Sequence, residues 1–307
     1  MGNLKQYDII IIGGGPAGLS AGIYTARARL SSLLIEKAAI GGQIINAELV
    51  ENYPGFTEGI SGIDLTQTMH RQATRFGLET LAAEVTAIEA TGRQKTVRTS
   101  GGDFTAGAVI IAGGAERQKL GVPGEEKYTG KGVSYCATCD GAFFRNKMVA
   151  VVGGGNAAVT DARELTKFAS KIFLIHRRHE LRATKILQEK IIAAPKIEIL
   201  WDTVVEEILG ENFVNKIKVS NVKTGQKSVL DVSGVFVSVG SQPATGYLQG
   251  QLTLDAAGAI VANDRLETSL PGVFAAGDIR SGSIRQVIGA AGDGAAAAIN
   301  AGNYISG

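Results

Sequence analysis

Two cysteines separated by two residues are the first candidates for chemistry in this chain. They are Cys136 and Cys139, and the 307-residue sequence contains no other cysteine. The two-residue gap places both sulfurs on one turn, close enough to bond, and a helix N-terminus there would lower the thiolate pKa of the first cysteine. A structural zinc site needs four ligands, and none of the three histidines follows the pair at zinc-finger spacing. The pattern therefore favours a redox disulfide over structural zinc or inert thiols, and no metal is expected.

Two glycine-rich turns end two apolar runs and form an internal repeat. The first run, residues 7–12, ends in Gly13, Gly14, Gly15, Pro16, Ala17 and Gly18. The second run, residues 148–152, ends in Gly153, Gly154, Gly155, Asn156, Ala157 and Ala158. A helical stretch and a second apolar strand follow each turn, with the strands at residues 32–36 and 171–176. This order predicts a dinucleotide-binding βαβ unit, whose glycines let the backbone approach a pyrophosphate at the helix N-terminus.

The residues at the end of each second strand distinguish the two predicted nucleotide sites. Glu36 ends the strand of the first repeat, where its carboxylate can accept a hydrogen bond from an unphosphorylated ribose 2′-hydroxyl, as in FAD or NAD. The second repeat has His176, Arg177 and Arg178 there, with Arg182 one helical turn further on. Guanidinium groups bind a 2′-phosphate through paired, charge-assisted hydrogen bonds, so this site is predicted to take NADPH.

Composition and charge are typical of a soluble globular protein. Glycine accounts for 41 residues without the period of collagen, and hydrophobic residues make up 45% of the chain. The net charge of +2 gives no bulk field for nucleic acid or membrane. No apolar run reaches the roughly 18 residues of a spanning helix, and the N-terminus lacks the apolar segment of a signal peptide. We therefore expect a cytoplasmic protein, and in that reducing compartment a cysteine pair is more often redox-active than structural.

In their order and spacing these motifs resemble the low-molecular-weight, bacterial-type thioredoxin reductases. That family consists of NADPH-dependent FAD flavoproteins within the pyridine nucleotide-disulfide oxidoreductases, and the resemblance covers nearly the whole chain. The motifs that carry it are residues 13–18, 41–43, 51–55, 136–141, 153–155, 176–178, 277–278 and 285–286.

The resemblance implies an FAD site built on the first repeat. Asp278 ends a predicted strand, where its carboxylate would accept a hydrogen bond from the ribityl chain of the flavin. The implied FAD-binding residues are Gly13, Gly15, Pro16, Ala17, Gly18, Glu36, Lys37, Gly42, Gln43, Asn52, Val85, Ala112, Gly113, Gly277, Asp278, Arg285, Gln286 and Val287.

The resemblance also implies the NADPH site and the catalytic groups. Cys139 would face the flavin, Cys136 would exchange with the partner, and Asp140 would act as acid and base for the dithiol. The implied NADPH-binding residues are Gly153, Gly154, Gly155, Asn156, Ala157, His176, Arg177, Arg178 and Arg182.

The chain departs from the usual residues of the family at a few of these positions. Ala157 stands where a hydroxyl residue is common, Gly113 stands where threonine is usual, and Val287 replaces a small alanine. None of these changes removes a group that the chemistry requires.

The resemblance implies an α/β fold of two Rossmann-like, three-layer domains. The NADPH-binding domain, residues 117–246, would carry the cysteine pair and be inserted into a discontinuous FAD-binding domain, residues 1–116 and 247–307. The residues support such crossings independently. Apolar runs at 109–112 and 235–239 are followed by glycine, and glycine and proline punctuate residues 241–246.

The implied activity is that of a thioredoxin-disulfide reductase. Electrons would pass from NADPH through FAD and the cysteine pair to oxidised thioredoxin or a thioredoxin-like protein, and the enzyme would be a homodimer. Two alternatives on the same scaffold are a dithiol oxidase that uses oxygen and a ferredoxin-dependent reductase. Neither needs NADPH, so residues 176–178 argue against both.

Overall fold

The fold consists of two compact units of the chain. The computed structural model describes residues 4–47, 49–248 and 250–307. Unit 1 comprises Met1–Glu116 and Gln242–Gly307, and unit 2 comprises Arg117–Ser241. The chain returns from unit 2 to unit 1 between Ser241 and Gln242.

The described residues form two sets of strands, one in each unit. Unit 1 contains β1 (Lys5–Ile12), β2 (Ser32–Glu36), β3 (Glu79–Ala82), β4 (Val85–Thr91), β5 (Gln94–Thr99), β6 (Gly102–Ile111) and, later in the chain, β17 (Val273–Ala275). Unit 2 contains β8 (Val133–Ser134), β9 (Met148–Val152), β10 (Lys171–Ile175), β11 (Ile197–Leu200), β12 (Thr203–Gly210), β13 (Val214–Asn221), β14 (Lys227–Asp231) and β15 (Gly234–Val237). Two short strands at the crossings, β7 (Ala115–Arg117) and β16 (Ser241–Pro243), pair with each other.

The α-helices are distributed over both units. They are α1 (Pro16–Arg27), α2 (Gly62–Arg75), α3 (Glu125–Tyr128), α4 (Ala137–Asp140), α5 (Asn156–Leu165), α6 (Lys185–Ile192) and α7 (Val287–Ser306). Short 3₁₀ helices lie at Gly42–Asn46, Gly141–Phe144, Gly246–Leu248 and Gly277–Ile279. Within the described residues, no helix is both long and apolar enough to cross a membrane.

Unit 1 is built on a sheet in which β3, β2, β1 and β6 are parallel neighbours. The long strand β6 pairs on its other side first with β5, antiparallel, and then with β17, parallel. Strand β1 is buried on both faces, so its sequence is a continuous apolar run. Ile9 and Ile11 face the helices α1, α2 and α7, while Ile10 and Ile12 face a second core that includes residues of β4 and β5.

Unit 2 repeats this arrangement around a parallel sheet with the order β11-β10-β9-β15-β8. One face packs against α5 and α6, and the other packs against the antiparallel sheet β12-β13-β14. In unit 1, Ile12 at the end of β1 pairs with Ile35 and Ile111, and in unit 2, Val152 at the end of β9 pairs with Ile175 and Val237. The two βαβ repeats of the sequence thus end at corresponding sheet positions, each with its glycine turn at the carboxyl edge.

Candidate active site

The cysteine pair lies at the start of the one-turn helix α4 in unit 2. Cys136 and Cys139 form a disulfide with their Cα atoms 5.4 Å apart, which is within the usual range for bonded cysteines. Cys136 is the N-cap of α4, and the backbone N–H of Cys139 donates to Cys136 Sγ over 3.2 Å. Cys139 is exposed and Cys136 is half-buried. The redox pairing predicted from the two-residue spacing is therefore present.

A buried serine outside the predicted motifs organises this turn. The Ser134 hydroxyl donates to Asp140 Oδ2 over 2.6 Å and accepts from the backbone N–H of Cys136 over 3.0 Å. Asp140 lies in the last position of α4, and its own N–H donates to the Cys136 carbonyl. Ser134 therefore connects the predicted acid–base group to the first cysteine. Its position two residues before the pair is the only sequence signal that could have identified it.

A cleft of about 340 Å³ lies at the carboxyl ends of β9, β10 and β15 in unit 2. Such a position, outside the carboxyl ends of parallel strands, is where nucleotides bind in doubly wound folds. Helix α5 begins there at Asn156, with Gly155 as its N-cap and no side-chain cap, so its first N–H groups stay available to an anion. Gly153 has a φ of +146° and adjoins the Ser238 carbonyl, which leaves no room for a Cβ atom.

The side chains that line this cleft include the predicted basic residues. Arg177 and Arg182 line it and are exposed, and the exposed Arg178 is their neighbour in sequence. The Arg182 backbone N–H donates to the Gly154 carbonyl over 2.7 Å, which fixes the segment carrying the arginines against the glycine turn. Thr184 N–H likewise donates to Asn156 Oδ1 over 2.8 Å. The structure therefore brings the arginines and the glycine turn together.

His176 differs from the arginines that follow it. It also lines the cleft, but only 4% of it is exposed, and its imidazole packs directly against Gly154. Burial lowers the pKa of His176, and the charges of the neighbouring arginines add to this effect, while a hydrogen bond with the Glu180 backbone opposes it. The side chain is therefore neutral at pH 7, and the positive charge of this cluster belongs to the arginines.

In unit 1 the corresponding glycine turn is held by Glu36. Its Oε2 accepts from the Gly14 N–H over 2.7 Å, and its Oε1 accepts from the Ala38 N–H over 2.8 Å. Each carboxylate oxygen keeps a further lone pair for a ribose hydroxyl. Helix α1 begins immediately after Gly15 without a side-chain cap, and a Cβ on Gly18 would overlap the Gly13 carbonyl oxygen. The turn therefore has the open amides and close packing that a pyrophosphate site requires.

Several predicted FAD residues from distant parts of the chain lie on this side of unit 1. Gly277 lies so close to Ala17, at the start of α1, that a Cβ on it would come within 2.9 Å of the Ala17 side chain. Asp278 follows directly, accepts from Ser283 Oγ over 3.1 Å, and has its pKa raised by burial. The structure thus places the end of β17 beside the first glycine turn.

Side-chain contacts join further members of the predicted FAD set. Asn52 Nδ2 donates to Gln286 Oε1 over 2.9 Å, although the two residues are far apart in sequence. Gln43 Nε2 donates to the carbonyl of Ala115, the first residue of β7. The predicted FAD residues Ala112 and Gly113 lie just before it, between β6 and β7. The backbones of Gly15 and Gly42 lie close together, because a Cβ atom built on Gly15 would lie 3.9 Å from the Gly42 Cα atom.

The remaining predicted FAD residues also belong to unit 1. Lys37 is exposed and pairs with Glu116 over 2.6 Å, Val85 is buried at the start of β4, and Val287 is the first residue of α7. Arg285 has a left-handed φ of +52°. At Gly113, where the related family has threonine, an added Cβ would make only ordinary contact, at 3.4 Å from Ile279 Cδ1.

An ion pair between Arg280 and Asp293, which no motif indicated, supports the segment between Asp278 and Val287. Asp293 on α7 accepts from Arg280 Nε over 2.6 Å and from Arg280 Nη2 over 2.9 Å, and its Oδ2 also accepts from the Gly277 N–H over 3.0 Å. This bidentate pair fixes the loop after β17 to helix α7. Neither residue belongs to a motif, so the sequence alone offered no signal for it.

Comparison with known proteins agrees with this geometry. The family model described as pyridine nucleotide-disulphide oxidoreductase matches residues 7–294. The chain belongs to this family. Within the family it is 45% identical to the thioredoxin reductase of Listeria innocua over 98% of this chain and 94% of that protein. It is also 45% identical to the thioredoxin reductase of Bacillus subtilis over 99% of this chain and 96% of that protein.

A solved structure agrees with the fold of this family member. The crystal structure of Lactococcus lactis thioredoxin reductase in its FR conformation has a TM-score of 0.95 and 42% sequence identity. The comparison covers 98% of this chain and 99% of that chain. The predicted class, an α/β fold with Rossmann-like dinucleotide-binding units, is thereby confirmed, as is the predicted family.

Proposed function

We propose that the chain is an NADPH-dependent thioredoxin-disulfide reductase. The observation that carries this proposal is that unit 2 contains both a bonded cysteine pair and a cleft lined by a glycine turn and two arginines. The relatives named above are thioredoxin reductases. In the proposed reaction, two electrons pass from NADPH, by way of FAD and the cysteine pair, to a disulfide of thioredoxin or a thioredoxin-like protein.

Unit 1 is the proposed FAD-binding domain. FAD, when bound, supplies the exchange between hydride transfer and dithiol chemistry. The uncapped start of α1 and the free lone pairs of Glu36 support binding of the pyrophosphate and the adenosine ribose. Asp278, Asn52 and Gln286 supply polar groups for the remainder of the cofactor. The other residues assigned to this site are those named for it in the sequence analysis.

Unit 2 is the proposed NADPH-binding domain. The uncapped start of α5 would bind the pyrophosphate, and Arg177, Arg178 and Arg182 would bind the 2′-phosphate through charge-assisted hydrogen bonds. His176, being neutral, would pack beneath Gly154 and shape the cleft rather than add charge. A cleft with this basic lining supports NADPH as the electron source. It therefore favours this reaction over those of a ferredoxin-dependent reductase and of a dithiol oxidase that uses oxygen, because neither of these needs NADPH.

The cysteine pair performs the disulfide exchange once it has been reduced. Cys136, as a thiolate, attacks one sulfur of the partner disulfide, and the other partner sulfur leaves as a thiolate and takes up a proton. Cys139, as a thiolate, then attacks Cys136 Sγ, which restores the Cys136–Cys139 bond and releases the reduced partner. The N–H of Cys139 donates to Cys136 Sγ, so a negative charge on that sulfur is stabilised. Asp140, oriented by Ser134, is the proposed proton donor and acceptor.

The surroundings of the pair support thioredoxin as its partner. Lys127, Lys131, Arg145 and Lys147 are exposed on the segments that flank the pair, and three of them lie over aromatic rings of unit 2. Exposed basic residues close in sequence to the pair would attract an acidic partner. A cytoplasmic location remains a prediction from the composition and the N-terminal residues, and a homodimer remains a prediction from the sequence resemblance.

The test is a thiol assay with the purified holoenzyme, NADPH and several thioredoxins. We expect NADPH-dependent release of partner thiols by the unaltered enzyme and none above background by Cys136→Ser. Thr138→Ala, which alters an exposed residue between the cysteines, is the control and is expected to retain activity. Reduction of no thioredoxin, or equal reduction by Cys136→Ser, would contradict the proposal.

A further inference from the structure

Glu125 is a buried carboxylate for which the proposed reaction has no use. Only 3% of it is exposed, and both of its oxygens accept hydrogen bonds. Oε1 accepts from the Leu120 N–H over 2.9 Å and from the Tyr135 hydroxyl over 2.7 Å, and Oε2 accepts from the Gly121 N–H over 2.7 Å. Three hydrogen bonds converge on this one buried carboxyl group, so it holds the segments that donate to it in place.

Two of the three donors belong to a wall of the nucleotide cleft. Residues 118–122 form this wall, and Gln118, Lys119, Leu120 and Val122 line the cleft. The wall is held at one end by the bond from the Gln118 N–H to the Gly240 carbonyl, 2.9 Å long, and at the other end by Glu125. Lys119 lies between these two fixed points, so its backbone cannot shift without breaking one of them.

Lys119 adds a third basic side chain to the cleft. Arg177 and Arg182 also line the cleft, and across the part of the chain that the structure describes no carboxylate forms an ion pair with Lys119. NADPH carries negative charge both on its pyrophosphate and on its 2′-phosphate. An unpaired ammonium group in the lining of its cleft therefore has a natural counter-charge in the ligand.

The third donor to Glu125 connects this wall to the cysteine pair. Tyr135 directly precedes Cys136 and does not line the cleft. Burial, together with the bond to Glu125 and its charge, raises the pKa of Tyr135 to about 12, so the phenol keeps its proton and donates. One carboxylate thus joins the segment that carries the cysteines to the segment that carries Lys119.

We propose that Lys119 is a further NADPH-binding residue and that Glu125, tethered by Tyr135, is the residue that positions it. This inference rests on the proposed function, because it assumes that the cleft of unit 2 takes NADPH. It assigns a role to the segment 118–122, which lies outside the glycine turn and the arginine cluster. It also predicts that a change beside the cysteine pair, at a residue outside the cleft, alters nucleotide affinity.

The test measures the dissociation constant of NADP⁺ from the holoenzyme by titration calorimetry over a range of salt concentrations. Lys119→Met keeps the length of the side chain and removes its charge. We expect this variant to raise the dissociation constant about tenfold, or about 1.4 kcal/mol, and to reduce the salt dependence of binding. Lys218→Met is the matched control, since Lys218 is an exposed lysine of β13 outside the cleft.

Tyr135→Phe tests the positioning role of Glu125, because it removes one hydrogen bond to the buried carboxyl group and leaves that group in place. Glu125→Gln would change the buried group itself and so disturb the fold more severely. Tyr135→Phe should raise the dissociation constant about threefold to tenfold, as expected for loss of one hydrogen bond. Tyr128→Phe is its control, because it removes a tyrosine hydroxyl that bonds to the Gly210 carbonyl instead. The unfolding midpoints of the two tyrosine variants, measured in parallel, should be similar.

The outcomes separate this inference from the proposed function. If the unaltered enzyme does not bind NADP⁺, the proposed function fails. If it binds NADP⁺ but Lys119→Met matches Lys218→Met, or Tyr135→Phe matches Tyr128→Phe, only the role of this wall is overturned.

Discussion

Ser134 illustrates, for a single residue, how the dithiol centre depends on a contact that no motif contains. Its hydroxyl bonds both to Asp140 Oδ2 and to the backbone N–H of Cys136, and the residue is 5% exposed. A buried hydroxyl with two such partners restricts the orientation of the Asp140 carboxylate. If Asp140 moves protons for the dithiol, its rate of doing so should depend on this serine.

Ser134→Ala should therefore slow thioredoxin reduction about threefold to tenfold, the effect of losing one orienting hydrogen bond. Reduction of the bound flavin by NADPH should be unchanged, because Ser134 does not line the nucleotide cleft. Stopped-flow absorbance measures the flavin step, and a thiol assay measures the partner step. Equal slowing of both steps would show that Ser134 is merely structural.

His176 makes a prediction about pH. Burial is the main cause that lowers the pKa of His176 in the folded chain from its ordinary value of 6.5. Below pH 6.5 the unfolded chain therefore binds more protons at this residue than the folded chain does. The free energy of unfolding of unit 2 should therefore be unaffected by this group above that pH and should fall as the pH drops below it. The slope from one such histidine is at most about 1.4 kcal/mol per pH unit.

The measurement is urea unfolding at several pH values between neutral and moderately acidic. His176→Asn should show a smaller loss of stability on acidification than the unaltered chain, whereas His179→Asn, at an exposed histidine, should behave as the unaltered chain does. Parallel curves for all three proteins would contradict the assignment of His176 as a buried neutral side chain.

At the scale of elements, helices α1 and α7 pack closely because Gly294 of α7 lies directly against the backbone of α1. A Cβ on Gly294 of α7 would overlap the Ala17 carbonyl oxygen of α1, whereas a Cβ on Gly292, two residues earlier, would meet nothing within 4 Å. These two glycines share a helix and differ only in what they face. Their substitution separates helix propensity from packing.

Gly292→Ala should stabilise unit 1 by about 0.5–1 kcal/mol, because alanine is the better helix former. Gly294→Ala should destabilise it by about 1–3 kcal/mol, because the added methyl group forces the helices apart. The unfolding midpoint of each variant, measured by calorimetry, gives the sign of both effects. Destabilisation by Gly292→Ala, or stabilisation by Gly294→Ala, would disagree with the packing described here.

Local patterns predicted the repeated elements well. The run 32–36 is β2 as expected, and the expected strand 171–176 is β10, one residue shorter. The C-terminal helix α7 extends over Val287–Ser306. Its last turn contains Tyr304, which packs against Phe274 and receives a hydrogen bond from the buried Lys95, so tertiary contacts stabilise a turn that the sequence does not mark.

The contacts that orient the candidate site were harder to predict than its motifs. Glu125 and Ser134 are polar residues with no distinguishing spacing, and only the fold buries them and gives them partners. The sequence groups His176 with the arginines that follow it as a basic cluster. Its neutral state depends on its burial against Gly154, which only the fold determines. Motifs identify which groups are present, whereas burial decides their charge and orientation.

At the scale of the whole molecule, the basic residues near the cysteine pair predict a salt-dependent encounter with the partner. Interactions between exposed charges are screened over a Debye length of about 10 Å at 0.1 M salt. The KM for an acidic thioredoxin should therefore rise with ionic strength, while the KM for a small neutral disulfide should not. Replacing Lys131 and Arg145 by alanine should reduce that dependence, and a KM for thioredoxin that is independent of salt would exclude electrostatic steering.

The proposed reaction requires two nucleotide sites of different specificity and a redox-active cysteine pair in one chain. The most direct test is an anaerobic titration of the purified, FAD-loaded enzyme with NADPH and, separately, with NADH, followed by flavin absorbance and thiol counting. We predict that NADPH bleaches the flavin and opens the Cys136–Cys139 disulfide, and that NADH at equal concentration does neither to a comparable extent. A protein that retains no flavin, a flavin that neither nucleotide reduces, or equal reduction by NADH and NADPH would contradict the proposed reaction.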